Sequence, residues 1–266
     1  MKPVILLLLL STGIAGCSSF EYSPNQVFDN ESLQNINAKN IEKLTSATPN
    51  GDTIRFVITG DTQRSYDQIA GLVDTINSIQ NIDFLIIAGD LSEFGLLKEM
   101  EWIEDGFSKL NIPYIAVIGN HDLVARGSAV FQRMFGELNY SFTYNGTKFL
   151  CHDTNSREYN FNGKAPDIEW IKKELQTQEG VRSFVAISHV PPISSDFDPK
   201  LINPYTSLFL ETEGFLGSFY GHTHNFEEFI YQDSNVLNVI TSAIEKREFL
   251  LVTIVKDSIH YERIFF

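Results

Sequence analysis

The sequence predicts an α/β fold with two β-sheets, one or both of them mixed. Three observations carry this. Apolar runs "IRFVIT", "DFLIIA" and "YIAVI" alternate with stretches of helical periodicity. These runs close at Gly60, Gly89 and Gly119, about 30 residues apart, the length of a β-α-β unit with parallel strands. The second half loses that rhythm, and residues 226–266 hold short strand candidates with almost no helix signal.

Taken in order, residues 66–80 place Ile69, Leu72, Val73, Ile76 and Ile79 on one helical face. Residues 93–110 do the same with Leu96, Leu97, Met100, Ile103, Phe107 and Leu110. "YSFTYNGTKFLCHD" predicts a hairpin turning at Asn145-Gly146. A helix containing Trp170 follows, then the strand "SFVAIS". The tail reads as an antiparallel meander. Cys151, inside an apolar run, reads as a buried inert thiol.

The N-terminus is a separate object. Lys2, the apolar run Val4 to Leu10 and the small residues of "STGIAGC" form the pattern of a secretory signal, too short to span a bilayer. Ile14-Ala15-Gly16-Cys17 resembles a bacterial lipobox. That resemblance implies cleavage after residue 16, lipid on Cys17, and an exported chain held to a membrane of the cell envelope. With Cys17 lipidated, Cys151 has no partner among the two cysteines, so no disulfide is expected. Residues 17–50 are polar and read as a tether with one helix around 31–45; residues 51–266 read as one domain.

The 266-residue chain carries a formal charge of −14, which argues against a broad nucleic-acid surface. It does not exclude a small phosphate ester, because bound cations bring their own charge. The polar residues fall where the apolar runs end: Asp61, Asp90, Asn120-His121-Asp122, His189, and His222-Thr223-His224. Four of the six histidines occupy these ends. Sites in open α/β sheets form there. Carboxylate, amide and imidazole together suit Mn, Fe, Zn or Ni and are too rich in nitrogen for Ca. The set is too large for one tetrahedral ion and fits two ions sharing a carboxylate.

"GD" at 60–61, "GD" at 89–90, "GNHD" at 119–122, "SH" at 188–189 and "GHTH" at 221–224 resemble, in order and spacing, the five blocks of the calcineurin-like metallophosphoesterase superfamily. The resemblance covers roughly residues 53–225. It implies a four-layer fold, two mixed β-sheets forming a sandwich flanked by helices. It implies two divalent ions, manganese the expected pair, and hydrolysis of a phosphomonoester or phosphodiester by in-line attack of a metal-bridging hydroxide. Carried over by position, Asp61 and His224 would bind the first ion, Asp90 would bridge, and Asn120, His189 and His222 would complete the second. His121 would be the catalytic histidine, acting on the transition state or the leaving oxygen. Asp122 would orient its loop.

Two positions depart from the family pattern. Its first block usually reads Asp-x-His, whereas this chain has Gln63. An amide is a poorer donor to borderline metals, so Gln63 is expected to bind the first ion weakly or to hold a water on it, leaving a looser site that favours Mn over iron. Protein Ser/Thr phosphatases of the superfamily have an Asp-Arg pair where this chain has Glu93 and Phe94, so that subclass does not fit. Arg126 and Arg157 are the candidate contacts to substrate phosphate, although an isolated loop arginine is more often simply solvated. The proline-rich segment 190–206 is a candidate pocket rim. One rival class is a non-catalytic envelope lipoprotein that keeps the fold for ligand binding. A second, the all-helical HD-type hydrolases, is prompted by His121-Asp122 but disagrees with the β-branched strand before that pair.

Overall fold

The apolar runs form strands, and the strands divide between two sheets. The computed structural model describes residues 23, 25–49, 51–231, 234 and 236–266; the signal segment and Cys17 lie outside them. In chain order the elements are α1 (Ile36–Ser46), β1 (Thr53–Thr59), α2 (Tyr66–Ser78), β2 (Phe84–Ile87), α3 (Leu97–Phe107), β3 (Tyr114–Ala116), α4 (Gly127–Met134), β4 (Tyr140–Tyr144) and β5 (Thr147–Cys151). Then follow α5 (Ile168–Glu174), β6 (Ser183–Ile187), α6 (Ile202–Glu211), β7 (Phe215–Tyr220), β8 (Glu227–Phe229), β9 (Leu237–Ile240), β10 (Glu248–Val255) and β11 (Ser258–Phe265).

One sheet runs β11-β10-β1-β2-β3 and the other β4-β5-β6-β7-β9-β8. Both are mixed: β1, β2 and β3 are parallel while β10 and β11 are antiparallel, and β5, β6, β7 and β9 are parallel between antiparallel edges. Alternation along the strands builds four layers. Val57, Leu85 and Ile87 face α2 and α3, packing with Leu72, Met100 and Ile103. Phe56, Ile58, Phe84 and Ile86 face the other way, meeting Phe149, Val185, Ile187 and Phe219 of the second sheet. Leu150, Phe184 and Ala186 cover the far side with Ile171, Tyr205 and Phe209. Strands buried on both faces need continuous apolar runs, which is why "FLII" and "SFVAI" lack alternation. Phe56 stacks on Phe84 at 5.2 Å, and Phe149 meets both edge-on at 5.4 and 5.3 Å; such ring pairs add roughly 0.5–1.5 kcal/mol each beyond area burial.

The Asn145-Gly146 turn joins β4 to β5 with φ of 46° and 79°, the left-handed pair a two-residue hairpin requires. Two expectations change. The tail is not one meander: β8 and β9 complete the second sheet, where β9 runs parallel to β7, while β10 and β11 complete the first. The chain changes sheets between β9 and β10, past a bridge of Gly60 with Ala243. The helix expected around 31–45 forms over residues 36–46, but it docks on the domain instead of lying in a free tether. Its Ile36 and Leu44 are buried, and the Asn37 amide both donates to Ala116 O and accepts from Ala116 N at 2.9 Å. That side chain imitates a further strand and satisfies the edge of β3. Among the described residues no helix is long and apolar enough to cross a membrane.

Candidate metal centre

The crevice lies where the parallel strands of both sheets end. Each chain segment leaves its strand in a tight loop, and Asp61, Asp90, His222 and His224 adopt left-handed backbone, φ 51°, 55°, 79° and 62°. Non-glycine residues rarely do so unless their surroundings impose it, and such strain collects at functional sites. The loops bind one another through backbone: Asp61 N donates to Gly89 O at 3.0 Å, and Thr62 N and Gln63 N donate to Asp90 O at 2.9 and 3.1 Å. Glycine is required for contact here. A Cβ on Gly119 would lie 2.1 Å from Asp90 Oδ1, and one on Gly89 would lie 2.5 Å from His189 Nδ1.

The structure brings together all seven predicted metal positions and His121. Ligand atoms of Asp61, Asp90 and His189 all lie within 4.8 Å of one another. On one side, His189 Nε2 is 3.0 Å from Asn120 Oδ1 and 3.2 Å from Asp90 Oδ2, and His222 Nδ1 is 3.0 Å from Asn120 Oδ1. On the other, His224 Nε2 is 3.4 Å from Asp61 Oδ1, and Gln63 reaches Asp90 Oδ2. Gln63 presents its amide nitrogen rather than the oxygen expected of a ligand, because the Asp90 oxygen it meets accepts a hydrogen bond.

The electrostatics suit a cation. His189 is fully buried, and its Nδ1–H donates to Ala88 O at 2.7 Å, which turns Nε2 toward the oxygens of Asn120 and Asp90. Two acceptor oxygens meet that nitrogen, an arrangement that a positive charge satisfies, either the Nε2 proton or a metal ion that replaces it. Burial opposes charge on His189, but Asp90 and Asp61 outweigh it and raise the imidazole to about 9. Burial raises Asp61 to about 7 and lowers His222 to about 4. Two carboxylates and three imidazoles thus share a partly buried pocket that draws positive charge, and the residues fit the divalent ions their chemistry implies.

Around this centre the structure reveals residues the sequence did not single out. Asp196, from the 190–206 segment, lies 3.4 Å from His222 Nε2 and accepts from Arg157 Nη1 at 3.1 Å. It is placed to orient His222 from behind, as carboxylates do for ligand histidines. Arg157 therefore stands at the rim, held in this ion pair. Arg126, the other predicted substrate contact, is exposed beyond the "GNHD" loop, and its side chain makes no hydrogen bond or ion pair among the described residues. Glu93 pairs with Arg64, and its backbone carbonyl lies 3.1 Å from His121 Nδ1. These groups, with Gln63, His224 and Glu245, line a cleft of about 180 Å³. A larger cleft of about 580 Å³ lies under α1 and holds none of this chemistry. Asp122 faces away and accepts from Leu91 N, Ser92 N, Ser92 Oγ and Gly119 N, clamping two loops together. The remaining histidines lie elsewhere: His152 is buried against Tyr205, and His260 is exposed on β11.

The comparisons agree with this geometry. A probable cyclic nucleotide phosphodiesterase of Synechococcus sp. is 28% identical over 114 residues, 42% of this chain and 43% of that protein, so the match spans less than half of the relative's length. The purple acid phosphatase PPD1 from yellow lupin (Lupinus luteus) seeds shares the fold with a TM-score of 0.63 at 16% identity, over 79% of this chain and 51% of that one. A dimetal phosphatase from Danio rerio does so with a TM-score of 0.60 at 10% identity, over 80% and 98%. The family described as calcineurin-like phosphoesterase matches residues 54–226, a span that contains all five strand ends. By that match, and with those strand ends meeting in one crevice, the chain belongs to the calcineurin-like phosphoesterase family.

Proposed function

We propose that the chain is a metal-dependent phosphoesterase that hydrolyses a small phosphodiester at this crevice. One observation carries the reading: His189 Nε2, Asn120 Oδ1 and Asp90 Oδ2, three ligand-type atoms, converge within 3.2 Å of the buried imidazole nitrogen. Asp90, Asn120, His189 and His222 would hold one divalent ion, and Asp61, Asp90 and His224, with Gln63 beside them, a second. When bound, such ions polarise phosphoryl oxygens and make water acidic enough to attack near neutral pH. Manganese is the ion proposed, because mixed oxygen and imidazole ligands without thiolate suit it.

The chain's own groups supply orientation and a proton. Asp90 is shared by both ion positions, and its Oδ1 accepts from His121 N at 2.9 Å, fixing the catalytic histidine relative to the centre. The His121 ring is held through Nδ1 by Glu93, and in its imidazolium form Nε2–H is the group that would hand a proton to the departing oxygen. Arg64 and Arg157 are both exposed, each in an ion pair with a carboxylate that also meets a site histidine. A diester is favoured over a monoester by the Synechococcus relative, itself described as a probable cyclic nucleotide phosphodiesterase. The test is a panel of aryl and cyclic nucleotide diesters against monoesters, with Mn²⁺ or chelator, on wild type and Asp90→Ala. Diester turnover that needs Mn²⁺ and Asp90 supports the reading. Binding of a phosphate ester with no turnover under any metal would instead favour the non-catalytic envelope lipoprotein. We also propose export and lipidation at Cys17; loss of membrane partitioning in Cys17→Ser is the check.

A further inference from the structure

We infer that Gln63 is a built-in stand-in for a cation, so that the Asp61 side of the centre takes its ion only by displacing a protein group. This rests on the metal-centre reading above and concerns how the two positions fill.

Gln63 is 6% exposed and its backbone N is tied to Asp90 O. Its amide nitrogen lies 3.2 Å from Asp90 Oδ2 and 3.3 Å from His224 Nε2. An amide NH₂ has two hydrogens: one goes to Asp90 Oδ2, and the second can go to His224 Nε2 in the tautomer with its proton on Nδ1. These are the two atoms that an ion on this side would need. The other end of the same amide, Oε1, is buried with no partner. A half-turn of the terminal amide would exchange the two ends. Oε1 would then stand about where Nε2 is, facing a carboxylate oxygen, an arrangement that repels unless a cation lies between. The present orientation and an ion on the Asp61 side therefore exclude each other, and the unpartnered oxygen is the atom that gains a partner when the amide turns.

The opposite side has no such side-chain competitor; an ion there meets only a proton. His189 Nε2 faces the acceptors Asn120 Oδ1 and Asp90 Oδ2, and the His189 ring is fixed by Ala88 O. An ion there replaces the Nε2 proton held between these oxygens and moves no side-chain donor. The shared atom is Asp90 Oδ2, which lies 3.2 Å from both His189 Nε2 and Gln63 Nε2. The chain thus fills in two steps: one ion held tightly beside His189, and a second admitted when free metal is high enough to turn Gln63. Occupancy of the second position then follows the metal level around the protein.

The test is Mn²⁺ titration of chelator-stripped full chain by calorimetry, with bound metal counted after gel filtration and electron paramagnetic resonance read at each step. Wild type should bind one ion, then a second at least about tenfold more weakly, with the spin-coupled pair signal appearing only at the second step. Gln63→Ala removes the competing amide and should tighten the second step, and Gln63→His should make the two steps similar. Circular dichroism confirms that each variant is folded. A second step weakened in Gln63→Ala makes Gln63 an ordinary ligand, and an unchanged one makes it a bystander; either result overturns the inference while leaving the metal centre standing. A folded wild type that binds no Mn²⁺, with Asp90→Ala no different, would overturn the metal-centre reading itself.

Discussion

The two sides of the crevice share one carboxylate and differ in almost everything else. The His189 side is sealed: its imidazole is fully buried, and its partners are Asn120, Asp90 and a backbone carbonyl. The Gln63 side is open: the His224 side chain is 44% exposed, and the protein has already given the key acceptors a hydrogen-bond donor. Ligand-type residues at strand ends therefore do not by themselves make two equivalent ion positions. What each acceptor faces decides how strongly it holds an ion, because every hydrogen bond already made must be broken first.

The largest expected effect removes what the sides share. Asp90→Ala should empty both positions and cut diester turnover by about a thousandfold, read by metal content and steady-state rate. Next comes a pair of variants that separates the sides. His189→Ala should abolish the tight binding step, with affinity falling by about 10- to 100-fold, whereas His224→Ala should leave that step intact and weaken only the second. Equal losses in the two variants would break the comparison. Asp196→Asn should weaken the His189 side by about tenfold or less, since Asp196 acts only through His222; binding of the second ion should not change.

A fourth prediction concerns stability away from the crevice. His152 is fully buried beside Tyr205, and burial pushes its imidazole down to about 4. Between its ordinary value and 4 the unfolded chain takes up a proton that the folded chain refuses. Stability is therefore full above about pH 6.5 and is lost as pH falls toward 4, by up to about 3 kcal/mol. Denaturant unfolding at pH 7.5, 6 and 5 should show a shallower loss in His152→Gln than in wild type, with metal affinities at pH 7.5 the same in both.

Much of this was legible in the sequence for a physical reason. Parallel strands place their last residues on one edge, so Gly-Asp, Gly-Asn-His-Asp, Ser-His and Gly-His-Thr-His after apolar runs had to approach one another. Helical periodicity marked α2 and α3, and Asn145-Gly146 marked the hairpin, since each signal is local. What escaped depends on tertiary neighbours. Alternation in the tail indicates strands but not which sheet each joins. The docking of α1 rests on Asn37 meeting the backbone of β3, a polar contact with no periodic signature. Asp196 and Glu93 reach His222 and His121 only through the paths of their loops. Gln63 was visible as a departure, but the end of its amide that faces Asp90 was not.

The most direct measurement follows bound manganese and diester hydrolysis on the same sample as Mn²⁺ is returned to stripped protein. Turnover should be absent in chelator, stay low while the first ion binds, and rise with the second. Turnover that persists in chelator, or that is unchanged in Asp90→Ala, would contradict the account.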